Sequence, residues 1–114
     1  SKLADYIMPD ICLAGGITEM RKIANMAEAY HIPFTPHDAM GSPQIVSGAQ
    51  LCMTLPNFYR LEIGADQARP ALSAIIDHPL DIRDGRLHLS DRPGLGIELN
   101  IKLFLKGNYN IHMS

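Results

Sequence analysis

The sequence lacks the features that mark membrane-spanning, secreted and nucleic-acid-binding proteins. Its 114 residues include no apolar run near the roughly 18 residues that a transmembrane helix requires. No basic and apolar leader opens the chain, so we expect no secretion signal. The formal net charge is −2 with both signs scattered, so no basic stripe is available to neutralise the phosphates of a nucleic acid. These absences favour a protein of the cytoplasm.

Cysteine is scarce as well. Cys12 and Cys52 are the only two, and their spacing is not that of a metal-binding pair. Both lie among apolar residues, so we expect buried free thiols in a reducing compartment rather than a disulfide. Hydrophobic residues, in contrast, make up 46 % of the chain. That content is enough for the core of one domain.

A strand–helix repeat organises residues 1–64. Short apolar runs predict strands, and the apolar residues between them recur with the period of helices. Gly15-Gly16 precedes the first helix, which we expect to end near His31. Ser42-Pro43 precedes the second, which we expect to end near Met53. The predicted strands cover residues 4–9, 32–35 and 58–63. This order predicts parallel strands joined by right-handed crossovers.

The pattern changes after Gly64. Asp84-Gly85 lies between two short alternating runs, which is a strong signal for a β-hairpin. We expect a short helix within residues 70–76 and an extended or mixed conformation over residues 97–105. The last residues, 106–114, show little that would anchor them.

Three polar residues follow or end the predicted strands, at intervals of about 25 residues, the length of one strand–helix unit. They are Asp10, His37 and Glu62. Parallel neighbouring strands would bring the three side chains to the same end of the sheet, where β/α barrels build active sites. A histidine is a usable base near neutral pH, and a nearby carboxylate fixes its tautomer and raises its pKa. We therefore predict an acid–base site at this edge.

Each of these residues also has an interpretation without chemistry. Asp10 could cap the loop that follows it, and His37 could be an ordinary loop histidine. Glu62 could pair with Arg60, although the two side chains alternate to opposite faces of a strand. Asp38 could contact a substrate, but it also suits a solvated loop or a helix cap.

The other histidines and the methionines have no spacing that suggests chemistry. His31 follows a helix, where a positive imidazole suits the helix dipole. The remaining three histidines are expected at the surface. We expect the methionines at helical spacing to fill the core. These methionines are Met20, Met26 and Met53.

Several short motifs occur in a characteristic order. They are Pro9-Asp10, Gly15-Gly16-Ile-Thr-Glu19, Lys22-Ile-Ala, Ala27-Glu-Ala, Pro36-His37, Pro56-Asn57 and Leu61-Glu62. In order and spacing they resemble the last three β/α units of the enolase superfamily, in particular its mandelate racemase-like group with the sugar-acid dehydratases. The segment Asp91-Arg-Pro-Gly-Leu-Gly-Ile-Glu-Leu resembles the C-terminal segment of that family, which packs on the capping region.

The resemblance implies an α/β fold, the C-terminal portion of a (β/α) TIM-type barrel with three parallel strands and covering helices. Residues 1–64 would form the barrel part, and residues 65–114 a hairpin-containing segment that packs on the barrel and the capping region. The family's N-terminal capping domain and first barrel strands are absent from these residues. Because parallel sheets are normally closed and covered, we expect the rest of the barrel as further sequence or another chain.

The resemblance also implies a chemistry. Enzymes of this group remove the proton beside a carboxylate and stabilise the enolate with Mg²⁺. His37 matches the general base or acid, Asp10 matches its dyad partner, and Glu62 matches a substrate contact, with Asp38 as a further one. The family's metal ligands lie on strands outside this chain, so no residue here is assigned to the metal.

The implied activity is that of a magnesium-dependent carbon–oxygen lyase that dehydrates a sugar acid, an aldonate or aldarate. The partners implied are a small carboxylate substrate and further copies of the protein in a homo-oligomer, and the chain alone is expected to be inactive. Two alternatives stay open. One is a racemase or epimerase of a 2-hydroxy or amino acid, and the other is an inactive fragment with a structural or assembly role.

Overall fold

The computed structural model of the chain describes residues 3–64 and 73–105. Residues 70–72 of the short helix predicted at 70–76, and the C-terminal residues 106–114, lie outside the described residues. The helices and strands follow one another in the order α1 (Ile11–Ala14), α2 (Ile17–Ala29), α3 (Ser42–Cys52), β1 (Asp81–Arg83), β2 (Arg86–His88) and α4 (Ile101–Leu105).

Helix α1 is a single turn that the sequence pattern did not predict. Asp10 is its N-cap residue, and its Oδ1 accepts hydrogen bonds from the backbone N–H groups of Cys12 and Leu13 at 2.8 and 3.1 Å. Gly15 ends the turn in the left-handed conformation, with a φ of 100°. The chain therefore reverses within a few residues of Asp10, which holds this side chain at the end of the first extended segment.

Helices α2 and α3 begin and end close to their predicted bounds. Helix α2 follows Gly16 and buries one stripe, consisting of Met20, Ala24 and Ala27. Helix α3 carries Pro43 in its first turn, where the missing N–H costs nothing. It is buried on more than one face, because Gln44, Gly48 and Leu51 are buried as well as the predicted stripe. That stripe is Ile45, Val46, Ala49 and Cys52.

The three predicted strands are extended segments that pair in parallel through single bridges. The bridges are Ile7–Phe34, Asp10–His37 and Phe34–Phe58. The segment around Phe34 therefore lies between the other two, which is the predicted neighbour order. Continuous strands at 4–9, 32–35 and 58–63 are not formed within residues 3–64. The reason is proline, since Pro9, Pro33 and Pro36 have no N–H to donate to a neighbouring strand.

The core lies between the central segment and the helices that cover it. Phe34, Met20 and Ala24 are completely buried. The remaining members of this cluster are Ile11, Leu51, Cys52 and Leu55. Because helices and segments from all three repeats contribute, the three extended segments are held at fixed positions relative to one another.

The predicted hairpin is confirmed. Strands β1 and β2 pair antiparallel, with Ile82 opposite Leu87. Asp84 and Gly85 both have positive φ angles, 51° and 70°, as a two-residue turn with the right twist requires. Residues 97–105 were predicted to be extended or mixed. In this range Leu99 forms an antiparallel bridge with Ile76, and helix α4 follows.

Some burial predictions were wrong. Both cysteines are free as expected, but Cys12 is exposed while Cys52 is buried. Met20 is in the core, whereas Met26 and Met53 are 69 % and 78 % exposed. Met26 lies off the buried stripe of α2, and Met53 follows the last residue of α3. Within the described residues, no helix is long and apolar enough to cross a membrane.

Candidate active site

The three predicted site residues are brought together at one edge. Asp10 and His37 are bridge partners on neighbouring parallel segments, and His37 Nδ1 lies 2.9 Å from Asp10 Oδ2. Glu62 ends the third segment, and its Oε2 lies 3.8 Å from His37 Nε2. The imidazole therefore has one carboxylate bonded to one nitrogen and a second carboxylate near the other nitrogen.

Asp10 caps helix α1 and also forms a hydrogen bond with His37. Its Oδ1 faces the first turn of α1, and its Oδ2 faces His37 and Gln44. The side chain is buried, with a residual exposure of 6 %. Four hydrogen bonds in all reach this one carboxylate. Its orientation is consequently fixed from every side.

His37 and Glu62 are accessible, in contrast to Asp10. Their side chains are 41 % and 42 % exposed. Glu62 does not pair with Arg60, whose guanidinium instead lies over the ring of Tyr59 at 4.7 Å from its centroid. The backbone N–H of Asp38 points at Glu62 Oε2 over 3.4 Å. Because Nδ1 of His37 is turned toward the buried Asp10, the exposed part of the imidazole includes the side that carries Nε2.

Asp38 is not the solvated loop residue that its sequence position also allowed. It is 2 % exposed, and its Oδ1 is buried with no hydrogen-bond partner among the described residues. The chain packs closely here, since a Cβ placed on Gly64 would lie 3.3 Å from the backbone oxygen of Asp38. Asp38 is therefore a buried carboxyl that directly follows His37 in the chain.

Gln44 is a site residue that sequence reasoning missed. Its Nε2 donates to Asp10 Oδ2 at 2.8 Å, and its Oε1 accepts from the backbone N–H of Met40 at 2.7 Å. The signal that could have found it is its helical position, because Gln44 lies one turn before Gly48 and about two turns before Leu51, on a buried face of α3.

The hydrogen bonds and charges shift the protonation equilibria in different directions. The hydrogen bond to Asp10 raises the pKa of His37, and the charge of Glu62 raises it further, against an opposing effect of burial. Burial disfavours ionisation of Asp10, but the hydrogen bonds from His37 and from its other donors outweigh it and lower the pKa of Asp10. Burial, together with the charge of Asp10, raises the pKa of Asp38 to about 7.

The donor set does not fit a magnesium ion. Among the described residues, no group of three or more His, Cys, Asp or Glu side chains is arranged to hold a metal. Magnesium prefers oxygen ligands in an octahedral arrangement, and the oxygens of Asp10 are already occupied by hydrogen-bond donors. The residues gathered here are suited to holding and moving protons.

These features define a class. The chain is an α/β protein that carries an imidazole between carboxylates at the carboxyl ends of parallel segments, which is where barrel enzymes of this type place reactive side chains. The chain belongs to the enolase C-terminal domain-like family, whose model matches residues 1–103.

Individual relatives agree with this assignment. The chain is 33 % identical over 110 residues to D-mannonate dehydratase of Caulobacter vibrioides, covering 95 % of this chain and 27 % of the relative. It is 32 % identical over 104 residues to D-gluconate dehydratase of Thermoproteus tenax, covering 91 % of this chain and 21 % of the relative. A solved structure, the mandelate racemase/muconate lactonizing enzyme-like protein of Rubrobacter xylanophilus, is 36 % identical with a TM-score of 0.79.

The chain spans only a quarter or so of the proteins it resembles, 21 % and 27 % of the two dehydratases. It covers 26 % of the Rubrobacter structure, while that structure matches 90 % of this chain. The likeness therefore concerns the C-terminal domain of a TIM-barrel enzyme.

Proposed function

We propose that this chain supplies the acid–base side chains of a lyase that dehydrates a sugar acid through an enolate. The observation that carries the proposal is the position of His37, with Nδ1 bonded to the buried carboxylate of Asp10 and Nε2 on an accessible side. The names of the two dehydratases to which the chain is similar give the substrate class, an aldonate or a related acid.

In this proposal Nε2 of His37 takes the proton from the carbon beside the substrate carboxylate. Asp10 accepts the hydrogen bond from Nδ1–H, so that the neutral ring presents an unprotonated Nε2. After proton transfer the ring is positive, and the carboxylate of Asp10 stabilises that charge. Glu62, whose Oε2 lies 3.8 Å from His37 Nε2, contacts the substrate carboxylate or the enolate.

Loss of water completes the reaction. The proton held on His37 Nε2 passes to the hydroxyl on the next carbon, the carbon–oxygen bond breaks, and water leaves. The enol that remains tautomerises to a 2-keto-3-deoxy acid, and His37 returns to its neutral form. General acid–base catalysis of this kind contributes about 10²–10⁴-fold, so further stabilisation of the enolate is needed.

A divalent magnesium ion would supply that stabilisation when bound. Because the described residues do not form its site, its ligands would come from other parts of the enzyme. A lysine or arginine side chain that binds the substrate carboxylate would also come from other parts of the enzyme. No lysine or arginine within residues 3–64 and 73–105 forms an ion pair with Asp10, Asp38 or Glu62.

We also propose that residues 1–64 provide the last strands of a barrel completed by further sequence or another chain, with residues 65–114 packing on the barrel and capping region. Large apolar side chains are exposed on both outer segments, with Tyr6 and Met8 on one and Phe58 and Tyr59 on the other. Exposed apolar edges of parallel segments require a cover. Size-exclusion chromatography of the 114-residue chain, combined with denaturant unfolding, tests this. A monomer that unfolds cooperatively would contradict it.

The activity is tested with a panel of aldonic and aldaric acids. The protein that carries this chain is incubated with each acid and Mg²⁺, and the keto group of the product is measured with a carbonyl reagent. We expect one or a few acids to give a 2-keto-3-deoxy product, with a matched preparation of His37→Asn giving none.

Other outcomes separate the alternatives. Exchange of the α proton with solvent without formation of a keto product, accompanied by loss of optical activity, would indicate a racemase or epimerase instead. No exchange and no product with any acid, from a protein that is folded and of full length, would indicate a structural or assembly role.

A further inference from the structure

Gln44 connects three parts of the site. It is 5 % exposed and lies in the first turn of α3. Its Nε2 donates to Asp10 Oδ2 at 2.8 Å and approaches the backbone oxygen of His37 at 3.4 Å. Its Oε1 accepts from Met40 N–H at 2.7 Å, in the loop that follows His37. One amide thus joins the first extended segment, the second segment and the loop leading into α3.

The orientation of this amide is determined by its partners. A carboxylate oxygen can only accept a hydrogen bond, so the NH₂ group of Gln44 must face Asp10. A backbone N–H can only donate, so the oxygen of Gln44 must face Met40. Both ends of the amide are satisfied in this single orientation, which is the usual requirement for a buried polar side chain.

The hydrogen bond from Gln44 changes what Asp10 can do. Oδ1 is occupied by the two backbone donors of α1, and Oδ2 receives both His37 Nδ1 and Gln44 Nε2. Donors to a carboxylate stabilise its ionised form and weaken it as an acceptor for any one of them. Without Gln44, the whole of Oδ2 would be available to the imidazole.

We propose that Gln44 is a positioning residue, whose amide keeps Asp10 an ionised, four-donor acceptor and ties the loop after His37 to the same carboxylate. The proton on Nδ1 of His37 is thereby retained in the hydrogen bond to Asp10, and Nε2 stays free to exchange a proton with the substrate. This role rests on the proposed function, but the hydrogen-bond coupling of Gln44, Asp10 and His37 can be measured without it.

The groups that set the titration of His37 come from each neighbouring element. Asp10 lies on the first segment, Glu62 on the third, and Asp38 follows His37 directly, and each of them acts on the imidazole. From α1, the nearby Cys12 thiol stays protonated in this range, because burial and the charges of Asp10 and Asp38 raise its pKa. Gln44 is the uncharged member of this set, so its replacement changes the hydrogen bonding of Asp10 without removing a charge.

The experiment follows the reactivity of His37 in the protein that carries this chain. Diethyl pyrocarbonate modifies neutral imidazole, and peptide mass spectrometry resolves His37 from the other histidines. The rate is measured against pH for the unaltered protein, for Gln44→Met and for the control Gln50→Met. Gln50 lies on the same helix but takes no part in these hydrogen bonds.

We expect the midpoint of the His37 profile to rise by about half a pH unit or more in Gln44→Met, because Asp10 becomes a stronger acceptor. Gln50→Met should leave it unchanged. Gln44→Glu keeps the acceptor for Met40 but places a carboxylate against Asp10, so it should raise the midpoint further. Turnover of the sugar acid, once identified, should fall about tenfold in kcat for Gln44→Met, since a hydrogen bond to a charged group is lost.

An unchanged midpoint in a folded Gln44→Met or Gln44→Glu would overturn the proposal. Loss of the fold in both variants, with Gln50→Met intact, would assign Gln44 to stability and contradict it as well. If no sugar acid is turned over by the unaltered protein, the proposed function fails, whereas a shifted midpoint would still support the coupling.

Discussion

Two aspartates in this chain each collect several hydrogen bonds, and their partners make them different. Asp10, within residues 1–64, is buried and forms hydrogen bonds with His37, with Gln44 and with two backbone N–H groups. Asp77, in the C-terminal region, accepts from the backbone N–H of Glu98 at 2.8 Å and from Arg92 at 2.6 Å. Asp77 also contacts His78 Nδ1 at 2.9 Å.

The two aspartates differ in whether their partner side chain can release a proton. Arginine keeps its charge at all ordinary pH values, so the pair Arg92–Asp77 can hold the segments 73–78 and 92–98 together but cannot transfer a proton. The hydrogen bond from Glu98 N–H and the pairing with Arg92 keep the pKa of Asp77 low. An imidazole can both take up and release a proton, and the hydrogen bond to the buried, fixed carboxylate of Asp10 raises the pKa of His37. Similar hydrogen-bond sets therefore hold a permanently charged pair in one region and a pair that can exchange a proton in the other.

The largest expected effect separates these two aspartates. Asp10→Asn should lower kcat/KM for the identified sugar acid by about 10³–10⁴-fold, because an amide in place of the carboxylate no longer fixes the reactive tautomer of His37. Asp77→Asn should leave kcat/KM within about twofold and lower only the melting temperature. Steady-state kinetics and thermal melts of the two variants test this, and comparable losses of activity in both would remove the distinction.

The two glutamates should differ less strongly. Glu62→Gln removes a charge 3.8 Å from His37 Nε2, and that charge raises the pKa of His37. We expect kcat/KM to fall about 10–100-fold and the pKa on the acid side of its pH profile to move downward. Glu98→Gln, whose carboxylate lies 3.5 Å from Arg92 Nη2, should change neither. A pH profile that is the same for Glu62→Gln and the unaltered protein would contradict this.

The smallest expected effect is that of the Asp38 carboxyl on how the free energy of unfolding depends on pH. The pKa of Asp38 is raised to about 7 in the folded chain, against about 3.9 when unfolded. Between these values the folded state binds more protons than the unfolded state, so Asp38 makes stability fall as pH rises from about 4 to 7. The raised pKa of His37 acts in the same direction at higher pH, as the stabilisation from its charged form is lost.

Asp38→Asn should therefore remove part of this fall. Relative to the unaltered protein, we expect its melting temperature to be higher by about 5 °C at pH 8 and nearly equal at pH 4. The exposed residue Asp91 provides the control, and Asp91→Asn should give no pH-dependent difference. Equal pH dependence of the melting temperature in all three proteins would show that the Asp38 carboxyl ionises as freely when folded as when unfolded.

Much of the local structure could be predicted because its causes are local. Gly16 and Ser42-Pro43 mark helix starts through backbone geometry alone, and Asp84-Gly85 specifies a tight turn. The proximity of Asp10 and His37 could be predicted because their separation in the chain equals the length of one strand–helix unit. The continuous strands predicted at 4–9, 32–35 and 58–63 did not form, since Pro9, Pro33 and Pro36 have no N–H for the hydrogen bonds between segments.

The positions of Asp38 and Gln44 depend on tertiary packing, which cannot be predicted from the local sequence pattern. Asp38 is polar and lies next to a loop, so local pattern favours solvent, yet tertiary packing buries it. Gln44 is joined to Asp10 across 34 residues, a contact that only the positions of α1 and α3 create. Met26 and Met53 follow helical spacing but are exposed. Spacing alone indicates that residues share a helix face, but it does not tell which face packs on the core.

His37 is the group proposed to move the substrate proton. The direct measurement is exchange of the α proton of the identified sugar acid in deuterated water, followed by NMR or mass spectrometry. His37→Asn is compared with His78→Asn, which alters the histidine bonded to Asp77. We predict that exchange is lost in His37→Asn, by about 10³-fold or more, and retained in His78→Asn. Full exchange in His37→Asn would contradict the account.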